Sequence, residues 1–336
     1  MNGNSFYYSS DKRLFPNLFD ALEYCKTNGT TPYFYYNDHV YQNVDWKTEP
    51  PESLEYYYRE QAQRIRDEYD YVVLFYSGGY DSTNILETFH FNNIKLDKVV
   101  CVGAFKQDTF SNVDENHNGE IYLNCFPYIK ELGLESITQL CDYTDYFGDI
   151  KNFSVYQYGE EWIENVGPWF SVHHWFWKDI HKYVVPEHMQ GKKVALIWGK
   201  DKPCVSEING RYSFRFSDRP ALSYSGIGEV PNMDRINFYW DTNFTILTVK
   251  QAHVVKRLKT EKRFIDRNHA VYNLRKPIIF QSPKSSTPLL SLRDNFLLNH
   301  KNSSVFDFYS MGIKKLVNKV DYKHIPLIYS RNYYLE

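Results

Sequence analysis

Residues Tyr71–Ser82 read YVVLFYSGGYDS, an apolar run that stops at two glycines and an aspartate. Val72, Val73, Leu74 and Phe75 are β-branched, branched or aromatic and carry no charge, so the run suits a strand buried on both faces. Gly78 and Gly79 permit a tight turn and the close approach of a ligand. Beyond them, Ile85, Leu86 and Phe89 recur at helical spacing, which predicts a helix over Thr83–Phe91. A strand, a glycine turn and a helix in that order form an anion cradle, because the turn amides and the positive end of the helix dipole point at one place. Ser77 and Ser82 add hydroxyl donors. Asp81 repels a bare phosphate but suits a divalent cation held against one.

Working outward, Lys98–Phe105, KVVCVGAF, predicts a second buried strand roughly 25 residues after the first, the spacing of a βαβ unit. Ala104 and Phe105 at its end either flank a base or are ordinary strand residues. Asn116–Leu132 predicts a helix with Glu120 near its start. Glu135–Leu140 predicts a third strand, and an aromatic helix over Trp169–Val184 follows. Lys193–Trp198, KVALIW, predicts a further strand, ending in Gly199-Lys200-Asp201-Lys202-Pro203. If the strands are parallel, these charges face the same crevice as the glycine turn.

Cys204–Ile208, Asn209-Gly210 and Arg211–Phe216 form a hairpin pattern, since Asn-Gly suits a turn with two positive φ angles. Tyr212, Phe214 and Phe216 alternate with Arg211, Ser213 and Arg215, so one face presents two arginines. Two readings stand for them: they bind an acidic substrate, or they are solvated. Arg235–Trp240 predicts another strand and Thr245–Leu258 an amphipathic helix. Earlier in the chain, helices are expected over Leu18–Cys25 and from Pro51 to Glu68, and the Tyr-rich segments between are expected to cover the core.

The glycine turn is neither G-x-x-x-x-G-K-[ST] nor G-x-G-x-x-G. It resembles the S-G-G-x-D-S signature of the PP-loop ATP pyrophosphatases, among them the synthetase domain of asparagine synthetase, GMP and NAD synthetases, tRNA-modifying enzymes and PAPS reductase. From about residue 70 to residue 260, the order GKDKP, hairpin, FYW, KQAHVVKR also resembles bacteriophage-encoded PP-loop proteins. The resemblance implies an α/β fold, a mainly parallel sheet of about five strands with helices on both faces, similar to HUP and Rossmann-like domains. It implies ATP and Mg²⁺ as cofactors and cleavage of ATP between the α and β phosphates, with adenylation of a carboxylate or carbonyl oxygen before attack by a nitrogen or sulfur nucleophile. Tranfer of the family's roles gives Ser77, Gly78, Gly79, Asp81 and Ser82 to the phosphates, Asp81 and Asp201 to the metal, and Lys200 and Lys202 to transition-state charge. Glu120 is either a solvated residue or an acid that handles the nucleophile. The alternatives are a tRNA- or base-modifying PP-loop enzyme and, from another class, an ATP-binding module without turnover.

The domain boundaries that follow are an N-terminal appended segment over 1–69, the nucleotide domain over 70–250 with the hairpin at 204–216, and a C-terminal segment over 251–336, with both appended segments mostly helical. The chain has 336 residues, 39 basic and 41 acidic, so no global field draws it to DNA or to a membrane surface. A small molecule or a tRNA is the expected substrate. The five cysteines form no C-x-x-C pair, which suits reduced thiols in a cytoplasm, that of a host if the protein is phage-encoded. The chain lacks an N-terminal Cys for a glutaminase and the cysteine motifs of 7-cyano-7-deazaguanine synthases and PAPS reductases, which leaves acceptor and nucleophile open.

Overall fold

The computed structural model describes residues 5–15, 18–103, 121–142, 180–189, 191–199, 204–217, 230–261 and 328–336. Its centre is an all-parallel five-stranded sheet built from β4 (Tyr71–Phe75), β5 (Lys98–Gly103), β6 (Thr138–Asp142), β7 (Val194–Trp198) and β10 (Met233–Asn237), in the order β10-β7-β4-β5-β6. The fold class is α/β. β4 occupies the middle, and every residue in it is buried.

The strand period of two sends alternate side chains to opposite faces. Val72, Leu74, Ala195, Ile197, Val99 and Cys101 enter the larger core with α3 (Leu54–Glu68), α4 (Tyr80–Phe91), α5 (Phe126–Glu131) and α6 (Thr245–Thr260). Tyr71, Val73, Phe75, Leu196 and Trp198 enter the second core, against Ile180 and Val184 of a helical turn at 180–184. Helices thus cover both faces, and burying each such aliphatic side chain stabilises the fold by about 1.5–3 kcal/mol.

Local chemistry accounts for the boundaries. Ser53 caps α3 by accepting from the Tyr56 amide, so this helix starts after Pro51 rather than at it. The expected third strand is shifted, because Glu135–Ile137 forms a 3-10 turn and pairing with β5 begins at Thr138. Of the expected helix over Asn116–Leu132, the described part is a π-helical turn, Ile121–Cys125, leading into α5. In the hairpin of β8 (Cys204–Ile208) and β9 (Arg211–Arg215), Asn209 and Gly210 have φ of 52° and 73°, as the Asn-Gly turn requires.

The two ends hold structure beyond the helices expected there. Besides α1 (Leu18–Asn28) and the short α2 (Asp38–Tyr41), the N-terminal residues form an antiparallel sheet of β1 (Ser5–Ser9), β2 (Leu14–Phe15) and β3 (Pro32–Tyr36), in the order β2-β1-β3. At the other end, β11 (Tyr333–Tyr334) adds a third strand to the hairpin. Among the described residues, Tyr41, Trp46 and Tyr333 share one aromatic cluster with Phe214, Phe216 and Trp240. Trp46 stacks on Phe214 at 5.1 Å and on Tyr333 at 4.8 Å. None of the helices among the described residues is long and apolar enough to cross a membrane.

Candidate functional site

The order β10-β7-β4-β5-β6 places a topological switch point beside β4. From β4 the chain moves outward through β5 and β6, then returns to the other side of β4 as β7 and continues to β10. In open parallel sheets, ligands bind outside the carboxyl ends of the strands at such a point. The SGGYDS turn leaves the carboxyl end of β4 there.

Gly79 sits at the N-cap position of α4 with φ −78° and ψ 162°, and as a glycine it has no side chain with which to cap the helix. The N-cap residue itself thus brings no side-chain acceptor to the first turn of this 12-residue helix. Gly78 has φ +79°, where L side chains are strained, and a Cβ there would lie 3.1 Å from the Cys125 nitrogen and 3.2 Å from the Asn124 Cβ. The turn therefore needs glycine at 78 both for its conformation and for its contact with the π-helical turn.

The two serines differ. Ser77 is exposed, whereas Ser82 is buried and its hydroxyl is engaged inside the loop. It accepts from the Ser77 amide at 3.3 Å, donates to the Gly79 carbonyl at 3.2 Å and lies 3.2 Å from the Ser77 hydroxyl. Thr83 Oγ1 also donates to the Gly79 carbonyl, at 2.9 Å. Ser82 thus shapes the turn, and Ser77 is the hydroxyl that solvent reaches. Asp81 is half-buried in the first turn of α4, where a carboxylate is favoured by the helix dipole.

Three contacts around the turn had no sequence signal. The first is Gly199, the residue after β7: a Cβ there would come within 2.9 Å of the Asp81 carbonyl carbon and of the Ser82 nitrogen. The strand that precedes Lys200 is therefore pressed against the first turn of α4. The second is Tyr239, whose fully buried hydroxyl donates to the Asp81 carbonyl at 2.7 Å and accepts from Asn84 Nδ2 at 3.0 Å. Burial pushes that hydroxyl well above its ordinary range and keeps it a neutral donor. α6 holds Tyr239 in turn, since Thr248 Oγ1 and Gln251 Nε2 both donate to its carbonyl. The third is a pair of buried thiols behind the turn, Cys101 and Cys125, with sulfurs 3.1 Å apart.

The structure brings Ser77, Gly78, Gly79, Asp81 and Ser82 into one turn. Ala104, Phe105, Glu120, Lys200, Asp201 and Lys202 lie outside the described residues. Arg211 and Arg215 engage the C-terminal segment. Arg211 donates to the Glu336 carbonyl at 2.6 Å and stacks over Tyr334, and Arg215 stacks 3.9 Å over Tyr329. Ser213, which alternates with them on the same face, is buried beneath the same segment. Among the described residues, no group of three or more His, Cys, Asp or Glu side chains is placed to hold a metal ion.

No family model, curated protein or solved structure matches this chain.

Proposed function

We propose that this chain is a PP-loop enzyme of HUP-like, Rossmann-like fold that binds ATP at the Ser77–Ser82 turn and splits it between the α and β phosphates. What supports this reading is the glycine-led N-terminus of α4 at the switch point beside β4, with Gly199 pressed against it. Backbone amides at that turn take the phosphate oxygens. In the sequence, Gly199 is followed directly by Lys200, Asp201 and Lys202, two cations and a carboxylate.

In the proposed reaction, an oxygen of the acceptor attacks the α-phosphorus, the bond to the bridging oxygen breaks and pyrophosphate leaves. A nitrogen or sulfur nucleophile then displaces AMP. The catalytic share of the protein is charge stabilisation and positioning. Asp81 fits a magnesium ligand, being a half-buried carboxylate beside the amides that would hold the phosphates, and Asp201 is its proposed companion. A bound Mg²⁺ would neutralise charge on the departing pyrophosphate. The acceptor is a small molecule or a tRNA, and the proposed compartment is the cytoplasm.

The test is incubation with α-labelled ATP and Mg²⁺ alone and with pools of amino acids, nucleobases and tRNA, resolving the labelled products. AMP with pyrophosphate is expected. ADP with phosphate would overturn the reading, and tight ATP binding without cleavage under every pool would instead mark a binding module.

A further inference from the structure

Asn124 lies in the π-helical turn Ile121–Cys125, with its Cβ 3.2 Å from where a Gly78 Cβ would sit. The residue is buried, at 6% exposure, and its Oδ1 has no hydrogen-bond partner among the described residues. An amide oxygen buried without a partner is disfavoured, and its place beside a candidate ligand site makes a donor on a ligand one that would satisfy it. The local backbone supports the same conclusion, because π-helical turns are rare and concentrate at functional sites. Cys125 beside it shows the contrast: its thiol is buried too, but it lies against the Cys101 sulfur at 3.1 Å.

The position of Asn124 selects the part of the ligand it meets. Gly199 and β7 border the turn on the side of Asp81, and the first turn of α4 offers its amides there. Asn124 borders the turn at Gly78, and the π-helical turn packs on β5, the neighbour of β4 on the opposite side from β7. With phosphates at the α4 end, a nucleoside that extends toward β5 would meet Asn124.

We infer that Asn124 is a base-selecting residue of the nucleotide site, its Oδ1 accepting from the exocyclic amino group of adenine. This rests on the proposed nucleotide reading of the Ser77–Ser82 turn. The carboxamide matches adenine because one acceptor and one donor face the N6 amino group and a ring nitrogen. The corresponding edge of guanine presents two acceptors, O6 and N7, and leaves Oδ1 buried and unpaired.

The experiment measures binding of ATP, GTP and inorganic tripolyphosphate to the full chain and to Asn124→Ala and Asn124→Asp. Tripolyphosphate probes the phosphate cradle without a base. The wild-type chain is expected to prefer ATP to GTP by about 10-fold or more, the range that one buried unpaired group gives. Asn124→Ala should weaken ATP by about 10-fold, bring the ATP-to-GTP ratio near one and leave tripolyphosphate unchanged. Asn124→Asp keeps an acceptor for the amino group and should retain more of the ratio than Asn124→Ala, which a merely structural role does not predict. An unchanged ratio in both variants, or equal loss of ATP and tripolyphosphate in a folded Asn124→Ala, overturns the inference. Absence of all three ligands from the wild-type chain overturns the nucleotide reading and this inference with it, whereas tripolyphosphate binding with no base preference removes the inference alone.

Discussion

Replacing Gly199 by alanine adds one methyl group where the chain has no room for it. The new Cβ would lie 2.9 Å from the Asp81 carbonyl carbon and the Ser82 nitrogen and 3.0 Å from the Asp81 carbonyl oxygen. Favourable carbon contacts begin at about 3.5 Å, so the end of β7 and the first turn of α4 must separate by about 0.6 Å or more. The opposing atoms are backbone, held by the Tyr239 hydroxyl on one side and by the loop hydrogen bonds of Ser82 on the other, so no side chain can swing away to relieve the clash. Overpacking of this kind destabilises by about 1–3 kcal/mol, which lowers the melting temperature by several degrees in a chain of this size. The larger effect is expected on the ligand, because a displacement approaching 1 Å in a positioning element lowers turnover by about 100-fold. The assay pairs thermal unfolding with calorimetric binding of tripolyphosphate and ATP, using Gly210→Ala as control. Gly210 has φ +73° and nothing within 4 Å of its missing Cβ, so its substitution strains the hairpin turn without touching the loop. Gly199→Ala should lose stability and ligand binding, and Gly210→Ala stability alone. Equal stability loss with unchanged binding in both variants would show that Gly199 only packs, and an unaltered melting temperature in Gly199→Ala would refute the close approach itself.

The two loop glycines should behave differently. Gly78→Ala, at positive φ and against Cys125, should lower the urea midpoint of unfolding, whereas Gly79→Val, at an ordinary extended φ of −78°, should leave the chain folded, at the cost of a less favourable N-cap, and abolish tripolyphosphate binding; retention of that binding by Gly79→Val argues against the cradle. Tyr239→Phe removes the donor to the Asp81 carbonyl and the acceptor for Asn84, and is expected to destabilise by about 1–3 kcal/mol in urea unfolding with unchanged slope; a neutral result would mean water replaces both bonds. Burial pushes Asp97 up, but Lys95, Arg66 and the Val72 amide outweigh it and hold the carboxyl below its ordinary range. A depressed carboxyl stabilises the fold above its unfolded value and loses that contribution as pH falls through the folded one, so the acid limb of stability against pH should flatten in Asp97→Asn, and a limb of unchanged slope counts against this role.

Much of the central part of the fold was legible because its signals are local. Val72–Phe75 has no polar side chain to place in water, Gly78-Gly79 breaks it, and Ile85, Leu86 and Phe89 set the helical period, so strand, turn and helix follow from about twenty consecutive residues. Asn209-Gly210 is legible for the same reason, since the φ angles it favours are those of the turn it makes. The N-terminal sheet was obscured by its tyrosines. In Tyr33–Tyr36 the ring suits the core and the hydroxyl suits water, so alternation between faces leaves no binary pattern to read. β11 was hidden for another reason: its pairing of Tyr333 with Phe214 joins residues far apart in the chain, and that same pairing buries Ser213 and occupies the Arg211 and Arg215 side chains. The sequence by itself determined that a glycine turn follows a buried strand and opens a helix. Only the tertiary structure decided that Gly199, Tyr239 and Asn124 meet at that turn, because each contact depends on the order in which the strands lie side by side, which is set by the packing of the whole sheet rather than by any neighbouring residue.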